Sequence, residues 1–133
     1  MARRPDIDAI VVSAAVVERD DAFLLTRRLK GTHLEGTWEF PGGKCEPDET
    51  PEACLVREMR EELAVDATLG PLLLVTRHAY AERSVELHFF RADVAGTPSP
   101  QLGQQMRWVP RAELATLEFP AADADLIKIL LAG

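Results

Sequence analysis

Along the 133-residue chain the apolar positions fall mostly into short runs of strand length, interrupted once by a helical stripe. Residues 7–19 are rich in β-branched side chains and predict a strand. Asp20-Asp21 then make a tight turn, and residues 22–28 return as the second arm of a hairpin. Residues 29–37, with Gly31 and Gly36, predict a loop, residues 38–40 a short strand, and Pro41-Gly42-Gly43 a turn. Thr50 is a good N-cap and Pro51 suits the first helical position, where its missing N–H costs nothing, so a helix is expected from there to Leu63. Strands follow at 69–80 and 84–94, a loop at 95–103, a strand at 105–109, and helices at 111–117 and 121–131. No internal repeat is visible. Strands first, one central helix and a C-terminal helix predict a single domain over 1–133 of the α/β (α+β) class, a mixed sheet flanked by helices.

The central helix is the unusual element. With Met59 at zero on a helical wheel, Leu55, Val56 and Leu63 lie within about 60°, which is a core-facing stripe. Glu62, Glu58 and Glu61 follow on one flank, at about −60°, −100° and −160°. Glu58 therefore neighbours Glu61 and Glu62 at i+3 and i+4, the arrangement in which like charges destabilise a helix. At ~6 Å each ionised pair repels by roughly 0.7 kcal/mol in water and roughly 3 kcal/mol at an effective dielectric of 20. One reading is a solvated face with Arg57 and Arg60 offsetting the repulsion. The other is a hard-cation site: carboxylates that repel until Mg²⁺ or Mn²⁺ arrives, next to glycines whose backbone can approach a metal or a phosphate. The spacing is not that of an EF-hand, and no His or Cys cluster suits zinc.

Charge favours a site. The chain carries a formal net charge of −7. Residues 46–66 hold eight acidic and two basic residues, net −6, which leaves −1 for the other 112. An acidic chain is a poor partner for duplex nucleic acid, whose binding relies on Lys and Arg. With 47% hydrophobic and 28% charged residues the composition is that of a globular protein, and no apolar run approaches the ~20 residues that span a bilayer, so no membrane partner is expected. Arg3 and Arg4 before residues 9–17 (AIVVSAAVV) superficially copy a secretion signal, but Asp6, Asp8 and the β-branched residues suit a strand and turn. A cytoplasmic protein is expected. Its Cys45 and Cys54, wrongly spaced for a zinc knuckle or a redox pair, are expected to stay reduced, with Cys54 as a small filler whose oxidation could touch activity.

One motif now stands out. Gly43, five residues, Glu49, seven residues and Arg57-Glu58-Met59-Arg60-Glu61-Glu62-Leu63-Ala64-Val65 resemble the Nudix box, GX5EX7REUXEEXGU. Ala64 replaces a glycine of the pattern near the helix C-terminus, where a left-handed backbone would strain it. Beyond the box, Trp38 to Lys44 (WEFPGGK), the spacing of Arg28, His33 and Glu39, and Phe119 to Asp123 (FPAAD) are similar to the MutT-type branch.

The resemblance implies the Nudix α/β/α sandwich and a Mg²⁺-dependent pyrophosphohydrolase of (deoxy)nucleoside triphosphates, with Mn²⁺ as the alternative cofactor. It implies metal ligation by Glu58, Glu61, Glu62 and the Gly42 carbonyl, and a structural role for Gly43, Glu49 and Arg57. MutT-like enzymes often have a further Glu six residues ahead of the residue matching Trp108; Leu102 stands there, so the base is sought in Glu58 or Glu61, with Glu58 preferred. Arg28, His33 and Lys44 are candidates for phosphates, and Glu39, Phe40 and Asp123 for the base. Asp123 replaces the Asn of 8-oxoguanine-specific relatives. An ionised Asp only accepts hydrogen bonds and suits the amine of cytosine or the N–H groups of guanine, so oxidised guanine and cytosine nucleotides both stay open. Other nucleoside diphosphate derivatives as substrates, and a non-catalytic nucleotide-binding module, are the alternatives. A monomer and a homodimer are equally compatible with the sequence.

Overall fold

The structure, a computed structural model, describes residues 9–133. Two sheets form the middle layer of the domain. The first holds β1 (Ile10–Val16), β5 (Gly42–Lys44), β6 (Asp66–Ala79) and β7 (Ser84–Ala95) in the order β5-β1-β7-β6. β1 runs parallel to β7, with Ile10 beside Val85, and the other pairings are antiparallel. In the second, β3 (Ala22–Arg27) pairs with β2 (Glu18–Arg19), β4 (Trp38–Glu39) and β8 (Met106–Pro110), all antiparallel. The helices are α1 (Pro51–Leu63) and α2 (Ala124–Ala132).

Strand alternation decides which helix each side chain meets. Ala14 and Val16 of β1 join Phe23, Leu25, Phe89, Leu126 and Leu130 on the α2 side. Their neighbours Ala15 and Val17 join Leu24, Leu55, Met59, Leu63 and Phe90 on the α1 side. The expected sandwich, helices flanking a mixed sheet, is what forms.

α1 has the expected limits: the Thr50 side chain accepts from the Ala53 N–H at 3.1 Å, Pro51 opens the helix, and Leu63 ends it. Ala64 adopts the left-handed conformation foreseen for it (φ 56°, ψ 39°), at a cost an L-residue pays in steric crowding. Asp20 and Asp21 both have positive φ, the tight two-residue hairpin turn that Asp tolerates.

Four expectations are corrected. The start of the first strand at Ile7 lies outside the described residues, and its far end is divided, β1 stopping at Val16 before β2. The turn expected at Pro41-Gly42-Gly43 is instead an extra strand, β5, lying against β1. It needs glycine because a Cβ on Gly42 would sit 2.0 Å from the Ser13 carbonyl oxygen. The helix expected at 111–117 is a 3₁₀ turn (Arg111–Thr116), and the last helix begins with another (Ala121–Asp123) before α2; each follows a proline. Finally, Cys45 and Cys54 are not separate thiols but a disulfide. β5 delivers Cys45 beneath the first turn of α1, a Cα separation of 5.1 Å, well within bridging range.

Candidate active site

α1 presents its carboxylates to the end of β3 and to β5. Glu62 is held from two sides: the fully buried Thr26 hydroxyl donates to Oε1 at 3.2 Å and the Gly42 N–H to Oε2 at 3.0 Å. Burial nevertheless pushes its pKa up to about 7, and the charge of Glu39 adds to the rise. Glu58 is also raised, burial outweighing the pull of Arg57. Gly43 allows this approach, since a Cβ there would lie 2.2 Å from Glu58 Oε2.

Arg57 organises the rest. Its guanidinium donates to Glu49 Oε2 at 2.6 Å and Oε1 at 2.8 Å, to Glu58 Oε1 at 2.8 Å, to Glu61 Oε2 at 2.7 Å and to the Lys44 carbonyl at 3.1 Å. Glu49, held well below the usual carboxylate range at about 2 by Arg57, also accepts from the Glu46 N–H. The loop and the helix are thus tied through one residue, in the arrangement the motif implied.

Two cavities open beside this cluster. The first, about 430 Å³, is lined on one side by Ile10, Val12, Ala14, Val85, Leu87 and Phe89 and on the other by Arg28, His33, Glu39, Phe40, Lys44 and Asp123. The second, about 340 Å³, is lined by Glu58, Glu61, Glu62, Arg27, Thr32, Leu102 and Gln104. Both include Arg28, Glu39, Gly42 and Glu58.

The candidate residues divide between them. Arg28 bridges the mouth, donating to the His33 carbonyl and to Glu39 Oε2 at 3.0 Å. Burial raises Glu39 despite that partner. Asp123 is 3% exposed and, although it precedes α2, its side chain makes no cap hydrogen bond; burial, and then the charge of Glu39, push its pKa up to about 7. Phe40 lines the cavity and belongs to the core at once, stacked on Phe119 with ring centroids 5.9 Å apart. His33 places one ring nitrogen, Nε2, in a buried position without a hydrogen-bond partner, and its ring meets Tyr80 edge-on at 5.2 Å. Lys44 stands exposed at the rim. Leu102 is 69% exposed, while Gln104 turns inward and accepts from the Leu102 N–H at 3.0 Å.

Sequence reasoning missed Thr26, Tyr80 and Arg83. Tyr80 comes from the end of β6 and its phenolic oxygen accepts from the Ala122 N–H at 3.0 Å, steadying the turn that carries Asp123. Nothing local marks it. The alternation of Val85, Leu87 and Phe89 is the one signal that could have placed a cavity wall on β7.

The donor set is all hard oxygen, with two carboxyl groups raised chiefly by burial, and its chemistry fits a divalent cation. No three acidic, His or Cys groups converge on one point among the described residues. The Arg57 guanidinium lies instead on Glu58 and Glu61, on oxygens a cation would share. Glu58 and Glu62 line the second cavity, and Glu61, 60% exposed, lines it too.

Known proteins agree with this geometry. A family model described as the NUDIX domain matches residues 12–128. An Escherichia coli K12 protein named CTP pyrophosphohydrolase is 39% identical over 118 residues, covering 88% of this chain and 86% of its own. A Haemophilus influenzae 8-oxo-dGTP diphosphatase is 34% identical over 128 residues, covering 95% and 94%. The solution structure of the E. coli ORF135 protein superposes with a TM-score of 0.85 at 34% identity, covering 98% of this chain and 94% of that one. By its box, its sandwich and these relatives, the chain belongs to the Nudix hydrolase family.

Proposed function

We propose that the chain is a Mg²⁺-dependent pyrophosphohydrolase that converts (deoxy)nucleoside triphosphates, oxidised guanine or cytosine nucleotides among them, to the monophosphate and pyrophosphate. One observation carries this reading: an apolar cavity with buried carboxyl groups adjoins an acidic cavity, and the two share Arg28, Glu39, Gly42 and Glu58. A ligand that fills both has a flat, hydrogen-bonding group joined to a polyphosphate.

Bound by Glu58, Glu61, Glu62 and the Gly42 carbonyl, Mg²⁺ would neutralise phosphate charge and make a coordinated water more acidic. Mn²⁺ can do the same. Glu58 takes the proton from the attacking water, a task its raised pKa suits. Arg28, which lines both cavities, holds the phosphates, with Lys44 and His33 meeting them from the first cavity. Glu49, Arg57 and Gly43 keep loop and helix in register. Leu102 has no titratable group and the Gln104 amide is not a base, so neither supplies a second one.

Base selection falls to Glu39, Phe40 and Asp123. With a pKa of about 7, Asp123 is present near neutral pH both as an acid that donates and as a carboxylate that accepts. That duality supports both base types, which are also those named for the E. coli and H. influenzae relatives. Free nucleotides place the activity in the cytoplasm.

A screen of common and oxidised nucleotides, read as pyrophosphate release with and without Mg²⁺, tests the proposal. Pyrophosphate from triphosphates only with the cation is expected. Turnover confined to ADP-ribose or dinucleoside polyphosphates would replace this reading, as would tight nucleotide binding without turnover.

A further inference from the structure

The Cys45–Cys54 pair has no part in nucleotide binding, and its two sulfurs differ sharply in surroundings. Cys54 is wholly buried in the first turns of α1, whereas Cys45, just beyond β5, is partly exposed. Each sulfur also faces a hydrogen-bond acceptor that a disulfide has no use for. Cys54 Sγ lies 3.7 Å from the Gly43 carbonyl oxygen. Cys45 Sγ lies 3.4 Å from Ser13 Oγ, and that buried hydroxyl gives its own proton to the Pro51 carbonyl at 2.7 Å, leaving its lone pairs for a thiol. Each thiol formed on reduction would have an acceptor at hand.

We propose that Cys45 and Cys54 form a reversible thiol–disulfide exchange site for low-molecular-weight thiols and disulfides, whose closure clamps β5 onto the start of α1. With glutathione disulfide as oxidant, the accessible Cys45 thiolate attacks one glutathione sulfur. A mixed disulfide forms and one glutathione thiolate leaves. The Cys54 thiolate then attacks the Cys45 sulfur, forming the internal disulfide and releasing the second glutathione. Two protein thiols are oxidised, one glutathione disulfide is reduced to two thiols, and the two protons pass to the leaving glutathiones. In the reverse direction a glutathione thiolate attacks the exposed Cys45 sulfur. Cys54 then leaves as a thiolate near the N-terminus of α1, where the helix dipole favours negative charge. The clamp joins the strand that holds Gly42 and Gly43 to the helix that carries Glu58 and Glu62, next to the contact that Arg57 makes with the Lys44 carbonyl.

The full chain, equilibrated without denaturant in glutathione buffers of graded oxidation, quenched, alkylated and weighed intact, tests this independently of any turnover. The two-thiol and disulfide forms should interconvert with the ratio of reduced glutathione squared to glutathione disulfide. Cys54→Ser should trap one glutathione on Cys45, and Cys45→Ser should take none. The disulfide form should melt roughly 5–10 °C above the reduced form, and Cys45→Ser/Cys54→Ser should melt alike with and without reductant. Cysteines that stay in one state across the series, an adduct on Cys54 in place of Cys45, or equal melting of the two forms would each overturn the proposal.

Discussion

The two cavities share a wall yet are built on opposite plans. The acidic one draws three of its carboxyl groups, Glu58, Glu61 and Glu62, from the single helix α1, and burial raises two of them. The other gathers β1, β7 and the 120–123 turn, and its raised carboxyl groups, Glu39 and Asp123, face a mostly apolar wall. Burial lifts pKa values in both. In the first, a bound cation would offset the rise. In the second, Asp123 at about 7 can either donate or accept near neutral pH.

The largest expected effect falls on the reaction itself, at a residue that both cavities share. Glu58→Gln keeps the shape and loses the base, and turnover should fall by roughly 10²–10⁴-fold with nucleotide binding little changed. Near wild-type turnover with metal still bound would remove Glu58 from the role.

Asp123→Asn addresses the apolar cavity and should alter the ratio of kcat/KM between cytosine and oxidised-guanine substrates, by roughly 10–100-fold, while leaving Mg²⁺ affinity alone. It has a stability signature too. The folded Asp123 keeps a proton up to about pH 7 that the unfolded chain gives up near its ordinary value of 3.8. Its contribution is therefore full below that value and falls as pH rises to about 7, by up to roughly 4 kcal/mol. Melting curves should show the Asn variant gaining on the wild type between about pH 4 and 7. A constant gap would mean that Asp123 is not raised.

Glu62 gives the matching measurement on the acidic side. With its pKa at about 7, Mg²⁺ binding at about pH 6 should expel close to one proton, and at about pH 8.5 almost none. Calorimetry in buffers of different ionisation enthalpy reads this directly, and equal release at both values would cancel the contrast. The smallest effect is expected of Tyr80→Phe, which takes away the acceptor for the Ala122 N–H. A rise of a few-fold in KM, with kcat held and a stability loss of about 1 kcal/mol, separates a residue that steadies Asp123 from one that reacts.

The same contrast governs what the sequence disclosed. α1 and its Thr50 cap could be read because their causes lie within one turn, whereas the Glu49–Arg57 tie and the position of Ala64 came through resemblance to the Nudix box. β5 could not, since two of its three residues are glycines with no side-chain pattern, and with it went the disulfide it positions. Glu39, Phe40 and Asp123 entered only through resemblance to a family. Tyr80 and Arg83, brought in by a hairpin some forty residues before Asp123, left no local trace.

The parallel pairing of β1 with β7 orders events in time. Joining Ile10 to Val85 requires most of the chain to be made and the long intervening segment to be closed, an entropic cost that local contacts do not carry. The segment from β5 through α1 can assemble beforehand. During synthesis or refolding the protein should therefore acquire its grip on divalent ions early and its discrimination between bases late, as the parallel strands zip together.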